Sequence, residues 1–481
     1  MKLENRNNTK GVPMKKRIAI SCLALVAGSA TLLASGPAKA EEQRSTSSTT
    51  STSSNYTIIA TNDLGMHCVC MGFDTFVLLP PFNTLRAQVI QRGSEPRVIT
   101  DSTNFKVTYD VVQNTEASLK ADPYYQSWVT NAPKLFPGFN PKAANGNYQG
   151  LTGAQLRGNM TADSTKGMWE VVGVPAYPDV STNSTTAQKI MTDPLGGPNR
   201  NPFLTANVKL YNKSTGALLA STTTVVPAAF GGCCGCHLNV AKSYGYTNPT
   251  PRDSFTVMGM LHAKNSSGID ISKIDPDHDG VPGPIRCSQC HLDPAMGESV
   301  APGYPGYPVS QYTFSDVLHR WHAQNSVVLT NYDPNIAKDC YQCHPGNNVN
   351  CYRGVHTSKT INGHNMWCTD CHGDLNQRIA QGQMLQPWSD TTLPKCGTCH
   401  SNTGEGGGYL NGPFGKYLNS RGHEDHQILC SSCHGEPHAL NPSALAADNA
   451  ENIALQGLAN PIGKCSVCHT NQGTSYARPP H

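Results

Sequence analysis

Beyond residue 40 this 481-residue sequence lacks any unbroken apolar run approaching the roughly 18 residues that a membrane-spanning helix needs. That absence argues against a membrane span in the mature chain. Net charge is also scarce, since 36 Lys and Arg stand against 33 Asp and Glu for a formal +3. The first 40 residues alone hold seven Lys or Arg and one Glu, so removing them turns the formal charge to −3. A chain negative after such trimming is a poor fit for nucleic acid.

Those first 40 residues have the layout of an export signal. Lys15, Lys16 and Arg17 form a basic start, Ile18 to Leu33 is apolar and small, and Ala38-Lys39-Ala40 is an A-x-A cleavage site before Glu41. The expectation is an exported protein, at the outer surface, outside the cell or in the periplasm. Cys22 lies early in the apolar run and not after it, which disfavours a lipoprotein.

Residues 41–54, EEQRSTSSTTSTSS, form a polar low-complexity linker with nothing to bury. Residues 55–230 then read as strands: YTIIATN, AQVI, RVIT, FKVTYDVV, MWEVVGV, and the hairpin VKLYNKSTGALLASTTTVV turning at Ser214-Thr215-Gly216. The expected fold is an all-β sandwich-like domain. Residues 122–150, with prolines among Gly, Asn and Tyr, read as an irregular excursion from it.

From residue 231 to 481 the pattern changes. C-x-x-C-H occurs seven times: Cys233/Cys236/His237, Cys287/Cys290/His291, Cys340/Cys343/His344, Cys368/Cys371/His372, Cys396/Cys399/His400, Cys430/Cys433/His434 and Cys465/Cys468/His469. Two thiols and an adjacent imidazole at this spacing suit covalent haem c: two thioethers to the vinyl groups, and a proximal histidine on iron. Zinc ribbons and redox dithiols do not require a histidine in the next position. Haem attachment to this motif is completed outside the cytoplasm, in agreement with the export signal. Seven haems add fourteen propionates, which makes the loaded protein clearly anionic and favours basic redox partners or metal-bearing oxidants.

The motifs start 54, 53, 28, 28, 34 and 35 residues apart, with Gly, Pro, Asn and Asp between them. So little chain per haem predicts short helices and loops with little regular sheet, the macrocycles serving as the core.

Eleven of the eighteen histidines remain for distal positions. An iron with two imidazoles is saturated, carries one electron and offers substrate no open site. His319 and His322 in FSDVLHRWHAQN lie three apart, so a short helix after Ser315 presents both on one face. His262, His423 and His438 are further candidates, and His356 and His364 compete for another place. His67, in NDLGMHCVC, is a candidate from the β domain. His426, His278 and His481 are read as uninvolved.

Four other cysteines, Cys68, Cys70, Cys234 and Cys351, suggest two disulfides with three pairings, one bridge running from the β domain to Cys234. Asp275, Asp277 and Asp279 form the D-x-D-x-D-G opening of a calcium loop. Arg286 stands where an EF-hand has its bidentate glutamate, so calcium is the weaker expectation and a solvated acidic turn the stronger.

The runs CYQCHPGNNVNC, WCTDCHGDL, SRGH to CSSCHGEPHA and ALQGLANPIGKCSVCHT, with NDLGMHC and LLPPFN, resemble the large exported multihaem c-type cytochromes of metal-respiring bacteria. The resemblance implies bis-histidine haems in a chain, and electron transfer at or beyond the outer membrane to other redox proteins and extracellular acceptors such as metal oxides. Some members polymerise into filaments in which a histidine of one subunit ligates a haem of the next. Cys70 and Cys234 depart from the pattern. The expected role is an electron carrier and not an enzyme. The alternative is a multihaem reductase of nitrite, hydroxylamine or a sulfur oxyanion; such enzymes keep one iron open, often with C-x-x-C-K, which is absent here.

Overall fold

A computed structural model describes residues 55–65, 67–179, 200–231, 233–293, 299–325, 340–344, 351–373, 396–400, 408–409, 417–418, 428–471 and 473. Its first half is built from β1 (Tyr56–Asn62), β2 (His67–Val69), β3 (Phe76–Val77), β4 (Asn83–Gln91), β5 (Arg97–Val98), β6 (Phe105–Val111), α1 (Glu116–Ala121), α2 (Pro123–Leu135), β7 (Arg157–Asn159), β8 (Thr161–Asp163), β9 (Met168–Val174), β10 (Phe203–Asn212) and β11 (Leu218–Phe230).

The strands form two five-stranded sheets. One has the order β1-β4-β9-β8 with β5 on β4; the other runs β2-β11-β10-β6-β7. Alternation along β6 explains how they share a core: Val107, Tyr109 and Val111 are buried, while Lys106, Thr108 and Asp110 are not. These residues meet Leu85, Ala87 and Val89 of β4 and Leu204, Ala206 and Val208 of β10 in one apolar cluster. The β10–β11 hairpin turns where expected. Asn212 Oδ1 accepts from the Ser214 and Thr215 amides, and Gly216 at φ +70° supplies the left-handed residue.

Residues 122–150 correct the irregular reading, because α2 occupies their first half. Asp122 accepts hydrogen bonds from the Tyr124 and Tyr125 amides, and Pro123 takes the first helical position, where its missing N–H costs nothing. α2 buries Tyr125, Trp128, Ala132 and Leu135 in a second core with Phe73, Tyr177 and Phe230. Arg200 closes this core by pairing with Asp122, both side chains nearly inaccessible, with its guanidinium against the rings of Tyr124, Tyr177 and Phe230.

After β11 the described chain is mostly short helices and loops, led by α3 (Cys233–Ser243), α4 (Pro251–His262) and α5 (Phe314–Asn325), with a few two-residue strands among them. No described helix is long and apolar enough to cross a membrane.

These segments are docked on the sheets. Thr57 of β1 donates to the Val467 carbonyl, Arg92 donates to the Ser466 carbonyl, and Gly93 exchanges backbone bonds with Cys468 and Thr470. Gln88, 1% exposed in β4, accepts from the Leu429 amide and the Ser432 hydroxyl and donates to the Gly167 carbonyl. The sixth and seventh motifs therefore rest on the edge and face of one sheet. The first motif begins three residues after β11 ends.

Candidate functional site

Each motif is one helical turn. His291 donates its amide to Cys287, His344 to Cys340, His400 to Cys396 and His469 to Cys465, at 2.8–3.0 Å. Positions i, i+3 and i+4 of such a turn share a face, so both thiols and the imidazole point the same way. After the fourth and sixth motifs Gly373 and Gly435, at φ +80° and +83°, turn the chain away in a conformation that favours glycine.

Five motif histidines each face a histidine from outside the motifs. The ring centroids of His237 and His322 are 6.1 Å apart, His291 and His262 6.4 Å, His344 and His319 6.3 Å, His372 and His438 6.1 Å, His400 and His356 6.0 Å. Two metal–imidazole bonds of about 2.0 Å on opposite sides of one metal put ring centres about 6.2 Å apart. The rings are near parallel in the pairs of His344, His372 and His400, at 15–17°, and steeply crossed in those of His237 and His291, at 79° and 74°.

Tautomers reinforce the pattern. His262, His319, His322 and His438 donate Nδ1–H to the backbone carbonyls of Ile269, Ser315, Leu318 and Leu64. A histidine held this way keeps its Nε2 lone pair for a metal. Burial, with His322 beside it, pushes His237 down to about 4; burial, with His319 and the His372–His438 pair close by, does the same to His344. Both are neutral, the ligating form, at ordinary pH.

His67 and His364 are held the opposite way. His67 Nε2 bonds to Asp63 at 2.7 Å, and His364 Nε2 to Asp370 at 3.1 Å. The nitrogen that would ligate is engaged with a carboxylate in each. His278 lies exposed in the aspartate loop at φ +57°. His423, His426 and His481 lie outside the described residues. His469 donates Nδ1–H to the Ser94 carbonyl at 3.0 Å.

The clusters touch in a line. α5 carries both His322, facing the first motif, and His319, facing the third. Burial and the nearby Cys236 of the first motif raise the Cys343 thiol of the third. The Cys368 thiol meets Cys340, and Cys396 meets Cys430, each through a hydrogen bond. Burial, with Cys399 and Cys396 close by, raises Cys371, and Cys433 packs with Cys468 in one apolar cluster. α3, which carries the first motif, packs on α4, which ends at His262, the second motif's facing residue. The contacts between motifs run first, third, fourth, fifth, sixth, seventh.

Arg353 is a hub that the sequence did not reveal. Its Nε and Nη2 fork onto Asp448 at 2.6 and 2.8 Å, Nη2 also reaches Glu436 at 2.8 Å, and Nη1 donates to the Gly65 carbonyl at 2.7 Å. It locks the sixth motif's exit and the Ala446–Gln456 helix to the loop after β1. The faint signal was an acid two residues beyond the motif histidine.

Asp275, Asp277 and Asp279 do converge, with ligand oxygens within 4.8 Å of one another. The Lys134 ammonium bonds Asp277 at 2.6 Å and Asp279 at 2.7 Å, so a cation of the protein's own already bridges two of the three. Cys68, Cys70 and Cys351 are free thiols, and Cys70 Sγ accepts from the Leu78 and Leu79 amides. The bridge expected at Cys234 falls on a side chain outside the described residues.

The chain matches no protein-family model, no curated protein and no solved structure.

Proposed function

We propose that this chain is an exported electron carrier that holds seven c-type haems, mostly between two histidines, and relays electrons outside the cytoplasm to redox proteins and extracellular acceptors. The observation that carries this reading is the set of five histidine pairs at 6.0–6.4 Å, each joining one motif residue to one from elsewhere. The residues fit the group on three counts: paired thiols on the same helical face as the imidazole, opposed rings at the span of two metal bonds, and Nδ1 atoms turned to backbone carbonyls.

When bound, each haem supplies an iron that exchanges one electron. The chain's own residues decide what else happens there. His322, His262, His319, His438 and His356 each fill the position opposite a motif histidine, which excludes water and substrate from that side. The two sheets with a shared core are read as a β-sandwich that forms the platform for the line of motifs.

The test is to produce the exported protein with c-type maturation, then combine intact mass with magnetic circular dichroism. Seven covalent haems and low-spin ferric signals are expected. A strong high-spin ferric fraction would shift the reading to a reductase with an open iron, and zinc in place of haem would end it.

A further inference from the structure

Between β1, β11 and the sixth motif lies a cavity of about 20 Å³, enough for one water. Thr61 and Thr224 line the sheet side, Ser431 and Gly435 the motif side, and Asn441 and Glu451 the remainder. Asn441 is 3% exposed and its Oδ1 has no partner. A buried acceptor left unpaired on a residue that lines a polar cavity calls for a donor such as water. Glu451 is buried too, and its Oε1 accepts from the Ala60 amide at 2.7 Å and the Thr222 hydroxyl at 2.6 Å. Both bonds fall on Oε1, which leaves Oε2 for a proton.

The charged groups around this carboxyl are few. Asp448 is on its own helix, Glu436 and His434 come from the sixth motif and its exit, and Arg353 lies between Asp448 and Glu436. Asp63 and His438 lie beyond Glu436, while β1 and β11 contribute no charged residue. Arg353 is already committed to Asp448 and Glu436, and burial is what raises Glu451.

We propose that Glu451 is a proton-binding site that takes up one proton as one electron arrives at the sixth motif, an inference that rests on the haem assignment above. The electron comes from an electrode or from titanium(III) citrate and lowers the charge of a ferric centre by one. The proton comes from bulk water by way of the cavity. An O–H bond forms at Glu451 Oε2, and no other bond in the protein changes.

Electrostatics sets the pH window. Burial raises Glu451 to about 8, with the Thr222 hydroxyl and Ala60 amide opposing. A positive ferric centre nearby favours the carboxylate, and reduction removes that positive charge. The carboxyl therefore binds its proton more tightly in the ferrous protein than in the ferric one, and uptake falls between the two values.

The experiment uses the full haem-loaded chain and its Glu451→Gln variant, titrated in a spectroelectrochemical cell from roughly pH 5 to 9. In the wild type, one of the seven potentials falls as pH rises towards 8, and a protonated carboxyl C=O band appears in the infrared on reduction and shifts in D₂O. Glu451→Gln, which keeps an oxygen for Ala60 and Thr222, loses both signatures with the haem absorbance unchanged. An unchanged pH slope in Glu451→Gln overturns the proposal, as does a wild-type spectrum without the carboxyl band, which also decides the matter if the variant does not fold. Peptide mass separates the two levels of failure: a Cys430–His434 peptide without haem overturns the haem assignment itself.

Discussion

His438 and Leu64, 374 residues apart in the chain, are joined by a hydrogen bond from the imidazole Nδ1 to the backbone carbonyl. The bond fixes the ring that faces His372, and the next residue polices the approach. Gly65 sits at φ +76°, and a Cβ there would lie 2.9 Å from His438 Cβ. Gly65→Ala is expected to cost about 1–3 kcal/mol through backbone strain and to push His438 away from His372. Chemical denaturation checks the first, and a new high-spin signal from a single centre checks the second.

Removal of single histidines sorts ligands from bystanders. His319→Ala and His322→Ala should each cost about one-seventh of the low-spin signal, from the third and first motifs respectively. His67→Ala and His364→Ala should leave it unchanged, since their Nε2 atoms are held by Asp63 and Asp370. Low-spin paramagnetic resonance should fall into two classes, one from the near-parallel pairs and one from the crossed pairs of His237 and His291.

Glu451 sets a pH dependence of stability whose sign follows from its raised value. Between the unfolded value near 4.5 and about 8, the folded state holds the proton and the unfolded state does not. The stabilisation is complete below the unfolded value and is lost as pH rises through about 8. Glu451→Gln should flatten this decline and be the more stable form above pH 8. Glu451→Ala should cost about 1–3 kcal/mol in the acid range, because the Ala60 amide and Thr222 hydroxyl lose their acceptor, and less above pH 8. Urea melts across pH measure both.

The Arg200–Asp122 pair is buried, so breaking it should be expensive. Arg200→Ala is expected to lose about 3–5 kcal/mol by leaving Asp122 charged and dry. Arg200→Lys should recover little of this, because an ammonium neither forks onto the carboxylate nor stacks on Tyr124 and Phe230. Thermal melts of the two variants check the order.

Lys134 competes with calcium for the aspartate loop. Lys134→Ala frees Asp277 and Asp279, whose carboxyls its hydrogen bonds hold below the usual range. Calcium titration followed by calorimetry should then show tighter binding in the variant than in the wild type. Equal binding in both would mean that the three carboxylates do not act as one site.

The strands were legible because one face of each is dry: Val107, Tyr109 and Val111 alternate with polar neighbours, and Asn212 and Gly216 mark the hairpin. α2 was not, because the Asp122-Pro123 start is local and weak beside the prolines that follow. His319 and His322 were legible from their spacing, but the motif each one faces was not. That pairing joins residues as distant as His237 and His322, and only the tertiary fold fixes it. The carboxylates that hold His67 and His364 lie four and six residues away and were readable in principle. Glu451 left no local trace, since its partners Ala60 and Thr222 come from two strands in the other half of the chain.

Gln88 takes one donor from the sixth motif and one from the residue before it on a single oxygen, and ties its amide to Gly167. A dipole clamped at both ends does not turn when the charge beside it changes. If the sixth motif carries the haem proposed for it, Gln88 would contribute little to the reorganisation energy there, and the response of the surroundings would fall to Glu451 and its cavity.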